Sequence, residues 1–357
     1  MAQQKNTTSP TALTAPRSVA VIGAGMAGIA CARTLAQAGH QVSVFEKSRG
    51  PGGRMATRRT EFGGFDHGTQ YFTVRDKRFK RALETAGGVL SRWQVSTVRI
   101  MDEAGRIAAA SGPDAEPHWV ATPGMQGLPR LWAEPLSHIH LETLVTRIEA
   151  DRLRSGRWQL QTEGPGAQAQ VHAGFDAVML ALPSVQAAAL LRASQVGAEI
   201  QERLQAVRVA PCWTLMLAFP QASAPLGPTW HAARSVHHRI AWLTRETSKP
   251  GRGTIERWTV QASPAWSERH LEDDDERVKA KLLRAFTEIT GIRAEPGHAQ
   301  VHRWRYAQTL QALGASHIWQ PRLGLGLCGD WCLGRRVEDA FVSGLDLALA
   351  AISNRVE

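Results

Sequence analysis

Residues 18–47 read SVAVIGAGMAGIACARTLAQAGHQVSVFEK, and the order of residue types in this stretch decides the fold around it. A short β-branched run leads into a turn carrying Gly23, Gly25 and Gly28. Ile29, Leu35 and small alanines then recur at roughly helical spacing, Gly39 stands where a helix C-cap is expected, and a second strand-like run ends on Glu46 and Lys47. The pattern is a βαβ unit with a G-x-G-x-x-G turn. Gly23 permits the tight turn, Gly25 lets backbone approach a pyrophosphate, and Gly28 lets helix and sheet pack closely. The helix start at Met26 and Ala27 offers free amides and a partial positive charge to phosphates. Glu46 follows at the roughly 20-residue distance at which a carboxylate accepts hydrogen bonds from ribose hydroxyls. A dinucleotide site follows from these features together; the unit by itself does not choose between NAD and FAD.

Working outward, residues 48–72 form a long irregular stretch whose glycines and arginines make little sense as core, and long loops are usually functional. It carries two clusters, Gly52-Gly53-Arg54-Met55 and Asp66-His67-Gly68-Thr69-Gln70-Tyr71-Phe72. Near the C-terminus, Gly329-Asp330-Trp331 precedes a helix opened by Arg336-Val337-Glu338-Asp339-Ala340. These elements, in this order, are similar to those of FAD-dependent amine oxidases and their relatives. The resemblance implies that Gly53, Arg54 and Met55 lie near the flavin and its phosphates. It further implies that Asp66, His67, Gly68, Gln70 and Tyr71 pass beside the isoalloxazine ring, and that Gly329 and Asp330 serve the ribityl or phosphate-linked groups. The amides around Val337, Glu338 and Ala340 would face the flavin pyrimidine, and Val145, on a strand expected at 142–148, joins the same contact set. Within that superfamily the chain resembles the bacterial renalase-like flavoproteins through EKSRGPGGRMATRR, FDHGTQYFTVRDKRF, WVATPGM, SKPGR, HRWRYA and LCGDWCLGRRVEDAFVSG, which are spread from end to end. That resemblance implies oxidation of the 2- and 6-dihydro isomers of NAD(P)H, with hydride passing to the flavin and electrons to dioxygen. The products would be NAD(P)+ and hydrogen peroxide.

The expected fold is α/β: a Rossmann-like FAD-binding domain with an inserted α+β substrate domain built on a mainly antiparallel sheet. Residues 1–16 are expected as a tail, 17–75, 136–210 and 320–357 as the discontinuous FAD-binding domain, and 76–135 with 211–319 as the substrate domain. Strands are expected at 142–148, 156–162, 175–182, 211–219, 240–244, 256–262 and 299–305, and one long amphipathic helix over 267–290. The last helix should lie against the βαβ unit.

With 357 residues, 43% apolar and 21% charged, the composition is that of an ordinary globular protein. No stretch approaches the roughly 18 uninterrupted apolar residues of a membrane span, and the polar first residues lack a signal peptide's apolar run. A cytoplasmic location is expected. The formal charge of +10 favours anionic ligands, but the arginines are scattered without the basic and aromatic interleaving of a nucleic-acid groove. Cys31, Cys212, Cys328 and Cys332 form neither a disulfide framework nor a metal set. Cys328 raises the question of a thioether to flavin, but the surrounding pattern of such attachments is absent, so FAD is expected to be noncovalent.

No Ser-His-Asp arrangement or acid and base pair stands out, which suits a reaction in which the flavin does the redox work and the protein positions the substrate. Twelve tryptophans stand against two tyrosines. Trp213, Trp242, Trp258 and Trp304 fall on expected strands, where an aromatic residue is more often core than substrate wall. Tyr71, Arg130, Trp242 and His302 are the candidate substrate contacts, with Arg305 as a further cation for an anionic dinucleotide. An amine oxidase is the first rival reading. Many such enzymes resemble one another in a substrate-domain lysine near the flavin, and residues 211–319 offer only Lys249, Lys279 and Lys281, none on an expected strand. A flavin-binding protein without turnover is the second rival.

Overall fold

The computed structural model describes residues 17–94, 98–110, 116–224 and 226–353; the expected N-terminal tail lies outside the described residues. Ser18–Ile22 runs inside a six-stranded sheet, in the order Ile318–Gln320, Leu325–Leu327, Ala177–Leu180, Ser18–Ile22, Gln41–Phe45, His138–His140. All neighbours are parallel except the first pair. A parallel sheet must be covered on both faces, and the two-residue alternation along each strand shows how. Val19, Val21, Val42 and Val44 share a core with the helix Met26–Gln37 and the C-terminal helix Val337–Ser353. Ala20, Ile22 and Phe45 face the opposite core, with Ile148 and Leu160 of a three-stranded antiparallel sheet and with the helices Ser184–Ser194 and Ala198–Leu204. Full burial of each such aliphatic side chain contributes about 1.5–3 kcal/mol. The first and last helices cross as expected, and closely: a Cβ on Gly344 would stand 2.1 Å from the carbonyl oxygen of Ala27.

The second large sheet has seven strands, in the order His298–Gln311, Arg208–Phe219, Glu256–Ala262, Ile240–Arg245, Ala232–Ser235, Arg99–Met101, Ile107–Ala110. It is antiparallel except where Ala232–Ser235 meets Arg99–Met101. Val278, Leu282 and Phe286 of the helix Asp275–Thr290 cover one face, against Trp213, Leu215, Leu217 and Trp258. The other face is left for the cleft between the sheets.

Two expectations change. The helix expected over 267–290 is two helices, Pro264–Arg269 and Asp275–Thr290. The Asp274 carboxylate accepts from the Arg277 amide at 2.9 Å and so starts a new helix; Leu271 falls in the break. The assignment of all of 76–135 to the substrate domain also does not hold. Only Arg99–Met101 and Ile107–Ala110 join the seven-stranded sheet. Phe79, Val120, Met125, Leu128 and Trp132 instead share the core of the first helix, because the helix Gly127–Ala133 packs there. Among the described residues no helix is long and apolar enough to cross a membrane.

Candidate cofactor and substrate site

A cleft of about 2240 Å³ runs between the two large sheets, from the ends of the first two strands to the exposed face of the seven-stranded sheet. Single small-molecule pockets measure about 300–1,000 Å³, so there is room for a dinucleotide and a substrate together. At one end lies Glu46, buried, its two carboxylate oxygens accepting from the amides of Ala24 and Ser48 at 2.8 Å each. The remaining lone pairs are available to ribose hydroxyls. Gly28 is turned away from the cleft, where a Cβ would meet the Gly23 carbonyl oxygen at 1.9 Å. Gly25 is the residue before the first helix and supplies no side-chain cap, so the amides of the first turn remain for an anion. The Gly52–Gly53 turn closes over them: the Gly52 amide donates to Ala24 O at 2.9 Å, and a Cβ on Gly53 would stand 3.1 Å from Gly25 Cα. Side chains here would fill the space between this turn and the start of the first helix.

In the middle of the cleft, Arg54 grips Asp330 with both ends of its guanidinium, Nη1 to Oδ2 at 3.0 Å and Nη2 to Oδ1 at 2.5 Å, and Nη1 also donates to Ala307 O at 3.1 Å. The two halves of the discontinuous sequence signature are thereby tied to each other. Residues 66–72 run alongside. The Thr69 amide donates to Arg54 O, Gln261 donates to Gly68 O at 2.7 Å, and Trp304 Nε1 donates to His67 O at 2.9 Å. His67 is stacked on Trp304 and edge-on to His302. Burial, then His302 and Arg58, lower the His67 pKa to about 3, and burial with Arg58 lowers His302 to about 4. Both imidazoles are neutral near pH 7, and His67 Nδ1 is buried without a protein partner.

The far wall is one rung of the seven-stranded sheet. Strand register places His302, Thr214, Gln261, Trp242 and Arg234 side by side across five strands, and all but Thr214 line the cleft. Tyr71 stands in front of this rung, its ring 5.5 Å from Trp242 and 3.9 Å from His118, with Trp93 behind at 6.1 Å. Burial raises the Tyr71 pKa, so the phenol stays protonated. Among the described residues, twelve arginines and lysines line the cleft against three carboxylates, Glu46, Glu116 and Asp330.

Of the residues singled out in the sequence, the structure brings to the cleft Gly23, Gly25, Met26, Ala27, Glu46, Lys47, Gly53, Arg54, Met55, His67, Gly68, Gln70, Tyr71, Val145, Gly329, Asp330, Val337 and Ala340, together with Arg130, Trp242, His302 and Arg305. Gly28, Asp66 and Glu338 do not line it. Glu338 instead accepts the amides of Arg75 and Asp76 at 2.7 and 3.0 Å.

Asp66 lies beneath the cleft, fully buried. Its Oδ1 accepts from Thr57 Oγ1 at 2.7 Å and the Met125 amide at 3.0 Å; its Oδ2 accepts from Arg252 Nη2 at 2.7 Å, Arg252 Nε at 3.2 Å and Lys249 Nζ at 3.1 Å. Although burial opposes ionisation, Lys249 and Arg252 outweigh it and hold the carboxyl below the usual range. Lys249 also donates to Gln70 and Glu246 and is itself outside the cleft.

Trp213 and Trp258 are core, whereas Trp242 and Trp304 line the cleft. Cys328 is buried and does not reach it. Cys212 does, but burial pushes its thiol up to about 12. Sequence reasoning missed Arg234, His118, Gln261 and Glu116. For Arg234, His118 and Gln261 the signal is long-range strand register, which no local pattern carries, and Glu116 lies in the loop before the strand His118–Ala121.

The glycine passage, the ribose carboxylate and the paired Arg54 and Asp330 fit FAD. Residues 21–86 match a family described as NAD(P)-binding Rossmann-like domain, and residues 109–352 one described as flavin containing amine oxidoreductase. A 4,4'-diapophytoene desaturase of Staphylococcus haemolyticus (strain JCSC1435) is 42% identical over 69 residues, 19% of this chain and 14% of its own length. An L-amino acid oxidase of Bothrops pictus is 50% identical over 50 residues, 14% of this chain and 10% of its own. The chain thus spans a small part of these relatives. A crystal structure provisionally named a protoporphyrinogen oxidase, from Exiguobacterium sp. 255-15, superimposes with a TM-score of 0.73 at 15% identity, over 96% of this chain and 100% of that one; a likeness at that identity speaks for the fold alone. Because the second family match takes in well over half of its length, the chain belongs to the flavin containing amine oxidoreductase family.

Proposed function

We propose that the protein is an FAD-dependent oxidase of the 2- and 6-dihydro isomers of NAD(P)H. In the net reaction a dihydronicotinamide, dioxygen and one proton give the nicotinamide cation and hydrogen peroxide. Bound FAD would supply the hydride acceptor and the route of two electrons to dioxygen. The observation that carries the reading is the charge of the cleft, with twelve basic side chains against three acidic ones. Such a field concentrates an anionic dinucleotide and repels an ammonium ion.

The residues at the substrate end fit a planar ring. Tyr71, His118 and Trp242 offer aromatic faces, and Arg234 stands next to Trp242 on the rung to orient a polar substituent. Little acid or base work is needed, because loss of hydride returns the substrate to an aromatic pyridinium. His67 and His302, with pKa values lowered to about 3 and about 4, are weak bases, and Tyr71 is protonated, so these residues are poorly suited to take a proton from an alkylammonium group. The rival amine oxidase reading is further weakened by Lys249, whose ammonium is held by Asp66, Glu246 and Gln70 outside the cleft. Four free cysteines support the proposal of a reducing, cytoplasmic setting.

The test is anaerobic stopped-flow mixing with 2-, 4- and 6-dihydronicotinamide dinucleotides and, in parallel, simple amines. Fast flavin bleaching by the 2- or 6-isomer, with peroxide formed on admitting air, is the expected result. Bleaching by amines alone would transfer the assignment to amine oxidation, and a flavin that no such reductant bleaches would leave a binding protein without turnover.

A further inference from the structure

We infer that Arg75 and Arg336 form a phosphate-binding subsite at the mouth of the cleft, and that Glu116 occupies it as a built-in carboxylate until the phosphates of a dinucleotide substrate displace it. The inference rests on the dihydronicotinamide reading above and specifies how that substrate's charged half is held.

The geometry is that of one anion shared by two guanidinium groups. Arg75 Nε donates to Glu116 Oε1, Arg75 Nη2 donates to Glu116 Oε2 at 2.7 Å, and Arg336 Nη2 reaches the same Oε2 at 3.3 Å. A carboxylate bound in this two-oxygen manner uses the geometry that a phosphate would use. All three residues line the cleft. The frame is anchored from behind: Arg336 donates to Thr73 Oγ1 and pairs with Glu338 Oε1 at 3.3 Å, and the Arg75 amide donates to Glu338 Oε2 at 2.7 Å. Among the described residues, Glu116 is held only by these two arginines. Its side chain is 40% exposed, against 62% for Arg75 and 27% for Arg336. Exposed ion pairs of this kind are weak, so an incoming group with more charge and more acceptor oxygens displaces the carboxylate readily.

The site also lies where the charged half of such a substrate must go. Tyr71 and His118, which face the rung that would hold the ring, both sense the charge of Glu116, and Tyr71 senses Arg336 as well. A dinucleotide whose nicotinamide meets Tyr71 and Trp242 therefore extends its pyrophosphate toward Arg75 and Arg336.

The test compares the FAD-loaded wild type with Glu116→Gln and Arg75→Gln on two reduced substrates, the dihydronicotinamide dinucleotide and the corresponding riboside, which has no phosphate. The readouts are the ratio of riboside KM to dinucleotide KM, and the Ki of inorganic pyrophosphate. For Glu116→Gln the expected result is a ratio several-fold larger and a pyrophosphate Ki several-fold smaller at low salt. For Arg75→Gln the expected result is a ratio reduced about tenfold. Equal shifts for riboside and dinucleotide, or an unchanged pyrophosphate Ki in Glu116→Gln, would overturn the subsite. Failure of the parent reading looks different, since no dihydronicotinamide then bleaches the flavin. In that case pyrophosphate binding to the holoenzyme, followed by equilibrium dialysis, still decides: tighter binding to Glu116→Gln upholds an anion subsite there, and unaltered binding refutes it.

Discussion

Replacing Asp66 by Asn tests whether the residues under the cleft act as a charge-balanced support for its floor. The carboxylate accepts five hydrogen bonds, from Thr57, Met125, Lys249 and twice from Arg252, with Asp66, Lys249 and Arg252 all completely buried. An amide keeps one oxygen. If that oxygen faces Arg252 and Lys249, the NH2 group confronts the Met125 amide, which can only donate, and a buried donor without an acceptor costs about 1–3 kcal/mol. The loss of charge leaves Lys249 and Arg252 facing Glu246 alone, and breaking a buried pair from one side costs about 3–5 kcal/mol in total. For 357 residues the entropy of unfolding near 60 °C is about 0.75 kcal/mol/K, so the melting temperature should fall by about 4–7 °C. Tryptophan and flavin fluorescence should report the fall together, while flavin content and visible spectrum below the transition stay as in the wild type, because the Asp66 side chain does not line the cleft. Adding Lys249→Met removes one of the stranded cations, and the double variant should lose at least about 1 kcal/mol less than the two single losses added together. A drop below about 1 °C, additivity within about 0.5 kcal/mol, or loss of flavin without loss of stability would each refute the reasoning.

Arg54→Ala strips Asp330 of its two-pronged partner and Ala307 O of a donor, so FAD affinity should fall at least about tenfold; Arg54→Lys should not restore it, since an ammonium lacks the planar fork. Fluorescence titration of apoprotein with FAD measures both. Gly28→Ala would press a Cβ onto the Gly23 carbonyl, and purified protein is expected to carry little flavin by its visible absorbance. With Cys328 buried away from the cleft, acid precipitation should leave the yellow colour in the supernatant; colour in the pellet would contradict noncovalent binding. His67 gives a pH dependence. Its folded pKa of about 3 lies below the unfolded 6.5, so the unfolded chain binds more protons between those values and stability falls as pH drops through that window. At pH 5 the loss relative to neutral pH is about 2 kcal/mol, taking about 1.4 kcal/mol per pH unit. The melting-temperature gap between wild type and His67→Gln should therefore narrow or invert between pH 7.5 and 5, and a constant gap would show that His67 is not buried neutral.

The readable parts of this molecule are those in which neighbours in sequence are neighbours in space. The two-residue alternation of Val19, Val21, Val42 and Val44 and the glycines of the first turn set the nucleotide end of the cleft from local pattern alone. Helix continuity failed where a local cap competed with amphipathic spacing, since Asp274 satisfies the Arg277 amide and breaks the expected helix over 267–290. At the substrate end, the rung of His302, Thr214, Gln261, Trp242 and Arg234 comes from five strands. Its composition depends on register, and a slip of one residue would turn each side chain to the opposite face. Asp66 and His67, adjacent in the loop after the strand Gly63–Phe65, also part ways, one sunk among buried cations and the other facing the cleft. A motif reports that the segment is special; it does not say which of its members points which way.

The two sets of charges in this protein differ in whether they are closed. Under the cleft, Asp66 and Glu246 meet Lys249 and Arg252, with the buried Arg257 beside them, and Arg245 meets Glu256 at 3.3 Å, so most of the buried charges are paired within the chain. Along the cleft the cations outnumber the carboxylates fourfold. Unbalanced like charges weaken the compact state by mutual repulsion. On the proposed reading, their excess is balanced by the phosphates of bound dinucleotides. The first helix and Arg54 are the residues proposed to face the pyrophosphate of FAD. Arg75 and Arg336, which share the exposed carboxylate of Glu116, and Arg234 on the substrate rung are further cations of the cleft, and on the proposed reading they favour a phosphorylated substrate over an amine.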